Sequence, residues 1–513
     1  MLDTPRILVS RPLETAEQDC ACSSDGALPK IAWTPAHESA ESDCACPDHG
    51  ATRPADQTPF DVSLRWQRQA GLYRAGLRDT HELVCNPHDD TGVIVLNSAA
   101  RRILDAYAAP QTPTEAVHTL SSFAHSDVLS ATQQLAALGL LRSPSLTVPM
   151  KRPEPQTLTA WLHVTNACNL RCTYCYLNKT NSAIDEAVGR AAVDAIVRSA
   201  LRHDFQTVKL KYAGGEATLN FPLVMALHHY AKTRAAEYGL QLREVVLSNG
   251  IGLTPSMFDF MHNENIRLMI SLDGIGAAHD AQRVFANGKG SFLQVSRSIE
   301  RALARGLSPH LSITVTAHNA DSLADAVVFA LDRDLLFNLN FFRENECAAG
   351  FGDLRAGEAK LIAGMRRAFA VIEERLPRRS LIGALVDRSA FNSPHDRACG
   401  AGHSYLVIDE KGGVARCQME IEKTVADVFV EDPLLAVREV RDGFQNIPVD
   451  QKEGCRDCEW RYWCAGGCSL LTFKMTGRSD IQSPNCNIYK ALYPDVLRLE
   501  GLRLLKWANL PVQ

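Results

Sequence analysis

From residue 158 to residue 341, short apolar runs alternate with longer stretches whose apolar side chains recur at helical spacing. The runs at 158–164, 207–212, 242–247, 267–271, 311–316 and 337–341 predict strands. The stretches at 184–200, 222–238, 292–305 and 322–331 predict the helices between them. Crossovers of this length cannot be hairpins, so the pattern predicts an α/β fold with a parallel sheet.

Upstream, residues 71–78, 80–85 and 91–96 predict three short strands. Asn97 and Ser98 cap a helix whose apolar face is Ala99, Ile103, Leu104 and Tyr107. Thr112, Pro113 and Glu115 start a second helix, and Ser126 and Asp127 start a third. A small sheet followed by three helices is a winged-helix-like layout for residues 60–146. Three prolines between 147 and 157 mark a linker. Residues 1–58 are acidic and rich in Ser, Ala and Pro, without apolar periodicity, and are expected to be disordered. They carry a repeat: residues 16–22 (AEQDCAC) recur at 40–46 as AESDCAC. Three meanings stay open for it: a solvated tail, an accessory metal or redox site, or a segment that resembles a substrate. Downstream, 346–396 reads as a connector with a helix at 358–374, 397–490 as a cysteine-rich unit, and 491–513 as a C-terminal helix and tail.

Charge and composition remove several classes. A length of 513 residues predicts two to four domains. The net charge of −5 shows no basic excess for nucleic acid or an anionic membrane surface. The start lacks a basic stretch followed by an apolar one, and no run of about 18 apolar residues occurs, so a cytoplasmic protein is expected. The sixteen cysteines are bunched: three at 168–175, and six from Cys417 to Cys486. A disulfide framework does not bunch thiols this way, so the pattern points to metal.

The chemistry-bearing motifs follow the predicted strands. Cys168, Cys172 and Cys175 follow the first, Gly214, Gly215 and Glu216 the second, Ser248 and Asn249 the third. Ser271 and Asp273 end the fourth, His318 and Asn319 follow the fifth, and Arg343 follows the sixth. Barrel enzymes keep their chemistry at the C-terminal ends of strands, so all these are expected around one cavity.

The CxxxCxxC spacing with Tyr174 before its last thiol resembles the signature of the radical S-adenosylmethionine (SAM) enzymes. That resemblance implies a partial (β/α)6 TIM-like barrel over 158–345 and a [4Fe–4S] cluster on Cys168, Cys172 and Cys175, with an open iron for SAM. It implies that Gly214, Gly215 and Glu216 meet the methionine amine, that Ser248, Asn249, Ser271 and Asp273 bond the ribose or carboxylate, and that Tyr174 lies against the adenine. The usual proline after Gly-Gly-Glu is replaced by Ala217. Cys399, Cys417, Cys455, Cys458, Cys464, Cys468 and Cys486 resemble the SPASM extension of that family. This implies one auxiliary cluster on Cys399, Cys417 and Cys468 and a second on Cys455, Cys458, Cys464 and Cys486, three [4Fe–4S] clusters in all. The first auxiliary cluster then lacks one protein ligand, a site that can stay open, be filled by Cys347, or bind a substrate thiolate. Residues 60–146 resemble the pyrroloquinoline-quinone chaperone-like domains that capture a leader peptide as an added strand, here on the edge near 91–96.

These resemblances together imply a maturase that modifies a ribosomal precursor peptide or small protein. The SAM-derived 5′-deoxyadenosyl radical would abstract hydrogen, with a thioether or carbon–carbon crosslink as outcome and flavodoxin or ferredoxin as electron donor. No catalytic base or hydrogen donor is named by the sequence. Two alternatives stand beside this reading: a sulfatase-maturase-type formylglycine-forming enzyme, against which Gln418 occupies the position of that family's aspartate base, and a non-catalytic iron–sulfur or peptide-binding scaffold. A zinc ribbon in the C-terminal field would leave the upstream loop unexplained.

Overall fold

The first strand, Thr157–Thr165, is buried along almost its whole length, which a strand achieves only with a neighbour on each edge and cover on each face. In the computed structural model, which describes residues 4–10, 60–78, 80–89, 91–146, 154–351, 354–391 and 394–508, it has all four. One edge starts a run of parallel strands in chain order: Thr207–Gly214, Gln241–Ser248, Arg267–Ser271, His310–Val315 and Phe337–Phe341. Helices Glu186–Arg202, Phe221–Glu237, Pro255–Asn263, Phe292–Leu303 and Leu323–Asp332 lie between them. This is a parallel-strand sheet of the partial TIM-barrel type, as the alternation predicts. The Pro255–Asn263 helix escapes the apolar count because only Phe258 and Met261 are buried, although Thr254 caps it and Pro255 opens it.

The other edge of the first strand holds a finding that domain boundaries drawn on sequence missed. Tyr405–Ile408 pairs with it in parallel, and Gly413–Ala415 and Thr424–Asp427 continue the sheet antiparallel. The barrel and the cysteine-rich region therefore share one nine-stranded sheet. The C-terminal helix also crosses the expected boundary at 490/491, running unbroken from Cys486 to Trp507.

The N-terminal unit has three antiparallel strands, Tyr73–Gly76, Glu82–Cys85 and Val93–Leu96, then helices Ser98–Ala106, Pro113–Thr119 and His125–Ala137. Asn97 caps the first helix, and Thr112 and Glu115 form a capping box on the second. The third begins one residue early, after Ala124, without a side-chain cap. A fourth strand corrects the expectation of a disordered tail over 1–58: Ile7–Val9 pairs antiparallel with Val93–Leu96, Leu8 opposite Val95. The repeats at 16–22 and 40–46 lie outside the described residues.

This sheet is buried on both faces, and its period-two alternation assigns each face a partner. Ile7, Val84, Ile94 and Leu96 pack on the unit's own helices. Leu8, Leu83, Cys85, Val93 and Val95 join the main core with the barrel and the C-terminal helix. Cys85 is the core thiol its strand position predicts. A Cβ on Gly501 would stand 2.8 Å from Leu77 and 2.9 Å from Leu83, so the C-terminal helix lies hard against the sheet. That helix is fixed from the other side by Glu500 and Arg503, paired at 2.7 Å and almost unexposed, with Ser380 Oγ donating to Glu500. Among the described residues no helix is long and apolar enough to cross a membrane.

Removing one partner of a buried pair strands the other charge. Glu500→Ala is expected to cost about 3–5 kcal/mol, read from the shift in a urea unfolding midpoint.

Candidate active site

The loop from Cys168 to Cys175 is fixed at both ends by main-chain bonds. At its start, a bulge between His163 and Thr165 ends the first strand, and the loop meets the end of the second. Gly215 N donates to Thr165 O at 2.8 Å and Glu216 N to Ala167 O at 2.9 Å. Gly214 has φ of 141°, and a Cβ there would stand 2.1 Å from Thr165 O. A Cβ on Gly215 would stand 2.3 Å from Ala167 O. The two glycines are thus required by the chain's own backbone at residues 165–167, where the family resemblance had assigned the close approach to a cofactor amine. Further along, Arg171 N donates to Val284 O at 2.7 Å and Thr173 N to Gln282 O at 3.0 Å.

The three thiols lie together in this loop. Cys172 stands in the field of both Cys175 and Cys168, and burial pushes its thiol up to about 11. Burial raises Cys168 as well. Asn249 Nδ2 lies 3.7 Å from Cys168 Sγ and donates to Asn169 Oδ1 at 2.7 Å, so the third strand's end reaches the loop directly.

Glu216 is buried and already occupied. Its carboxylate accepts from Thr218 N, from Thr218 Oγ1 at 2.6 Å, from Ser248 Oγ at 2.9 Å and from Asn249 N at 2.6 Å. These four donors tie the ends of the second and third strands together. Asp273 is engaged too. It accepts from Tyr174 Oη at 2.5 Å and from Thr314 N at 2.8 Å, and Arg283 lies 3.6 Å away while also bonding Tyr174. Tyr174 therefore points its hydroxyl into a buried network with Asp273 and Arg283. Ser271 ends the fourth strand, half-buried and opposite Ser312. Arg283 is the member of this network that sequence reasoning missed, since it lies in a loop without a motif.

The seven downstream cysteines fall into two sets by mutual field. Cys417 stands in the field of Cys468 and Cys399. Cys455 stands in that of Cys464, Cys486 and Cys458. Lys452, 1% exposed, lies between them and within the fields of Cys455, Cys464, Cys399 and Cys468. Its ammonium donates to Ala465 O at 3.1 Å. No sequence signal marks it, because its role comes from position alone. Burial would raise Cys468, yet Arg343 and Arg388 outweigh it and hold the thiol below its ordinary value. Cys347 is exposed, with its Sγ 3.4 Å from Tyr176 O and within the field of Cys175, so it is not a core thiol and sits beside the first loop.

A cavity of about 210 Å3 lies between the strand ends and the second thiol field. Tyr174 and Tyr176 line it from the loop, Thr314 and Asn340 from strands five and six, and Arg343, Arg388 and Gln418 from the C-terminal region. Its lining carries two guanidinium groups and no carboxylate. Arg388 holds φ of 60°, a strained value for a non-glycine residue. Gln418 accepts from Tyr405 Oη at 2.9 Å. His318 and Asn319 diverge: Asn319 is buried and donates to Asp273 O at 2.6 Å, whereas His318 is not part of the cavity lining.

Residues 162–330 match the model of the Radical SAM superfamily. This stretch is a radical SAM domain. Enzymes make up that family, and the chain is one of them; the domain implies a [4Fe–4S] cluster and SAM. The chain is 24% identical over 331 residues to a cysteine-type anaerobic sulfatase-maturating enzyme of Clostridium novyi, covering 59% of this chain and 84% of that one. It is 25% identical over 306 residues to the sporulation killing factor maturation protein SkfB of Bacillus subtilis, covering 55% and 67%. An uncharacterized protein of Methanocaldococcus jannaschii is 28% identical over 171 residues, and this match spans 33% of the chain and only 57% of that protein. The solved structure of anSMEcpe with bound AdoMet and a Cp18Cys peptide shares the fold at a TM-score of 0.55, 18% identity, covering 69% of this chain and 99% of that one. The radical SAM domain's match stops before the sixth strand, Phe337–Phe341, whose Asn338 and Asn340 still line the cavity.

Gly215→Ala tests the backbone clamp. The added methyl is expected to cost about 1–3 kcal/mol in urea unfolding. The Glu216 amide should lose its protection from hydrogen exchange, while amides of the outer helices keep theirs.

Proposed function

We propose that the chain is a SPASM-type maturase that modifies a peptide or small protein at the cavity beneath Arg343 and Arg388. The observation that carries this is one sheet that continues from the radical SAM strand ends into the region of Cys399 and Cys417, with a cavity of about 210 Å3, room for a side chain, at those strand ends. Cys168, Cys172 and Cys175 would hold the reducing cluster. Their burial fits a metal, because thiols held protonated in apolar surroundings become good donors only when a cation replaces the proton. Cys399, Cys417 and Cys468 would hold one auxiliary cluster, and Cys455, Cys458, Cys464 and Cys486 the other. When bound, cluster and SAM together supply a 5′-deoxyadenosyl radical that takes a hydrogen atom from an unactivated carbon.

The chain's own residues do the rest. Asn249 bonds the loop beside Cys168, and Glu216 orders Asn249 and Ser248 by accepting from both. Asp273, fixed by Tyr174, Arg283 and Thr314, keeps the fourth strand's end in place. Arg343 and Arg388 present positive charge to the cavity and to Cys468. Lys452 offsets the negative charge that deprotonated thiols bring. The Clostridium novyi and Bacillus subtilis relatives both act in maturation by name, and the solved structure that shares the fold holds a Cp18Cys peptide. The edge of Val93–Leu96 expected to take a leader is occupied by Ile7–Val9, so a leader would add its strand at an outer edge of the sheet, beside Ile7–Val9 or Tyr73–Gly76. A crosslink by thioether or carbon–carbon bond fits this architecture better than formylglycine formation, because Gln418 cannot act as a carboxylate base.

Anaerobic reconstitution should load about twelve irons per chain and release 5′-deoxyadenosine on addition of SAM and a reductant. Cys168→Ala should abolish that release yet keep about eight irons. Retained release in Cys168→Ala would refute the site. Lys452→Met should lower the midpoint potential of the downstream iron, because a buried positive charge that favours the reduced form is gone. An unmoved potential would place the downstream iron away from Lys452.

A further inference from the structure

One buried polar cluster lies outside the thiol sets and the cavity. His228, 2% exposed, sits on the buried side of helix Phe221–Glu237 and turns both ring nitrogens to carboxylates. Nδ1 lies 2.6 Å from Glu244 Oε2, and Nε2 lies 3.1 Å from Glu264 Oε2. Glu244, on the third strand, is buried and also accepts from Tyr212 Oη of the second strand at 2.6 Å. Glu264 follows helix Pro255–Asn263, is partly exposed, and also accepts from Lys232 Nζ at 2.7 Å. The Phe260 ring stands edge-on to the imidazole at 5.5 Å, and the exposed His229 ring lies 5.1 Å away. Two strands and two helices therefore meet at one imidazole.

A neutral imidazole has a single N–H and donates to only one of these carboxylates, leaving a lone pair against the other. Both nitrogens need protons to satisfy what faces them. Each carboxylate already takes a second donor, from Tyr212 or Lys232, so neither needs a proton of its own. The charged and titratable groups around the ring are His229 and Lys232 on its own helix, Tyr212 and Glu244 on the two strands, and Glu264 after the next helix. Burial works against the imidazolium, but the bonds and charges of Glu244 and Glu264 outweigh it and hold its pKa above the ordinary value. Tyr212 stands two residues before Gly214, and Glu244 four before Ser248. The cluster thus links the second and third strands just below the ends that carry Glu216, Ser248 and Asn249.

We propose that His228 is an imidazolium latch: while charged it holds both helices against the second and third strands, and an alkaline medium releases it and loosens the strand ends that carry Glu216 and Asn249. This goes beyond the maturase reading and does not depend on it. Release is the loss of one ring proton to water, and neither carboxylate changes charge. A histidine whose pKa rises on folding contributes stability that is whole below its unfolded value, about 6.5, and is lost as pH climbs through the raised folded value. Once the ring is neutral, one carboxylate faces a lone pair. Glu264, the more exposed of the two, can turn to water and keep Lys232, whereas Glu244 is buried. Release therefore frees the end of helix Pro255–Asn263 first.

The test uses the full reconstituted chain, its histidines labelled with nitrogen-15 for magnetic resonance. The His228 signals, identified by their contacts with the Phe260 ring, should show both nitrogens protonated at pH 7 and lose a proton only above the pH at which free histidine does. A neutral ring at pH 7 would overturn the proposal. Glu264→Gln, which leaves the Glu244 bond in place, should move that deprotonation to lower pH; an unmoved one would overturn it as well. Amide hydrogen exchange, divided by its intrinsic rate, reads the latch itself. Between pH 6 and pH 9, exchange at Tyr212 and Val246 should accelerate about tenfold in the native chain and stay level in His228→Gln, while Val117 in the N-terminal unit stays level in both. The same rise in both chains would overturn the latch. If His228→Gln does not fold, Glu264→Gln replaces it: the rise should then begin at lower pH, and an unshifted rise would count against the latch. His229→Gln should keep the native rise; if it abolished the rise, the exposed ring would be the switch and the proposal would fail.

Discussion

The structure depends on the contact between the Gly214–Glu216 turn and the backbone of residues 165–167. Two carbonyls of the first strand's end accept from two amides of the second, and there is no room for a single Cβ between them. That contact sets where the Cys168–Cys175 loop begins. Glu216 then carries the same constraint one strand further, through Ser248 and Asn249, and Asn249 closes the circuit at Cys168 and Asn169. Three strand ends and the loop thus form one hydrogen-bonded unit. Burial penalises the charge of this carboxylate, and its four donors, three on Oε1 and one on Oε2, oppose that penalty.

A second constraint is charge. Ten thiols, in three sets, are gathered in a largely apolar interior, and each that loses its proton brings a negative charge there. The protein places Lys452 between the two downstream sets and Arg343 and Arg388 beside Cys468. A buried ammonium would ordinarily be expelled or neutralised. Burial at 1% exposure pulls Lys452 below its ordinary value, and the four cysteines around it oppose that shift. The same arginines line the cavity, where Arg343 is also paired with the buried Asp387 at 2.6 Å.

Much of this was legible in the sequence. The six strands fall within two residues of their expected ends, because buried parallel strands are short apolar runs. The sets of cysteines were legible through spacing. What the sequence could not show was the third dimension of roles. Glu216, Gly215 and Asp273 are marked by motif, yet the partners they use are Ala167, Asn249 and Arg283, which no local pattern connects. Lys452 and Arg283 carry no motif. Ile7–Val9 is three residues long inside an acidic stretch, too short for periodicity to register, and becomes a strand only because Val93–Leu96 offers an edge. The shared nine-stranded sheet was hidden for the same reason: Tyr405–Ile408 finds its partner some 240 residues upstream, at Thr159–Leu162.

The C-terminal helix links the two ends of this design. It begins at Cys486, among the thiols, and passes the N-terminal sheet at Gly501, fifteen residues or about 22 Å further on. One internal proline, Pro494, bends it without breaking it. A continuous helix with a cysteine at one end and the N-terminal sheet packed near the other fixes the separation between them. Tyr73 against Trp460, with ring centroids 5.1 Å apart, ties the sheet to the thiol field by a second route. The separation between the N-terminal sheet and the thiols is therefore set by two packed routes, not by the loops between them.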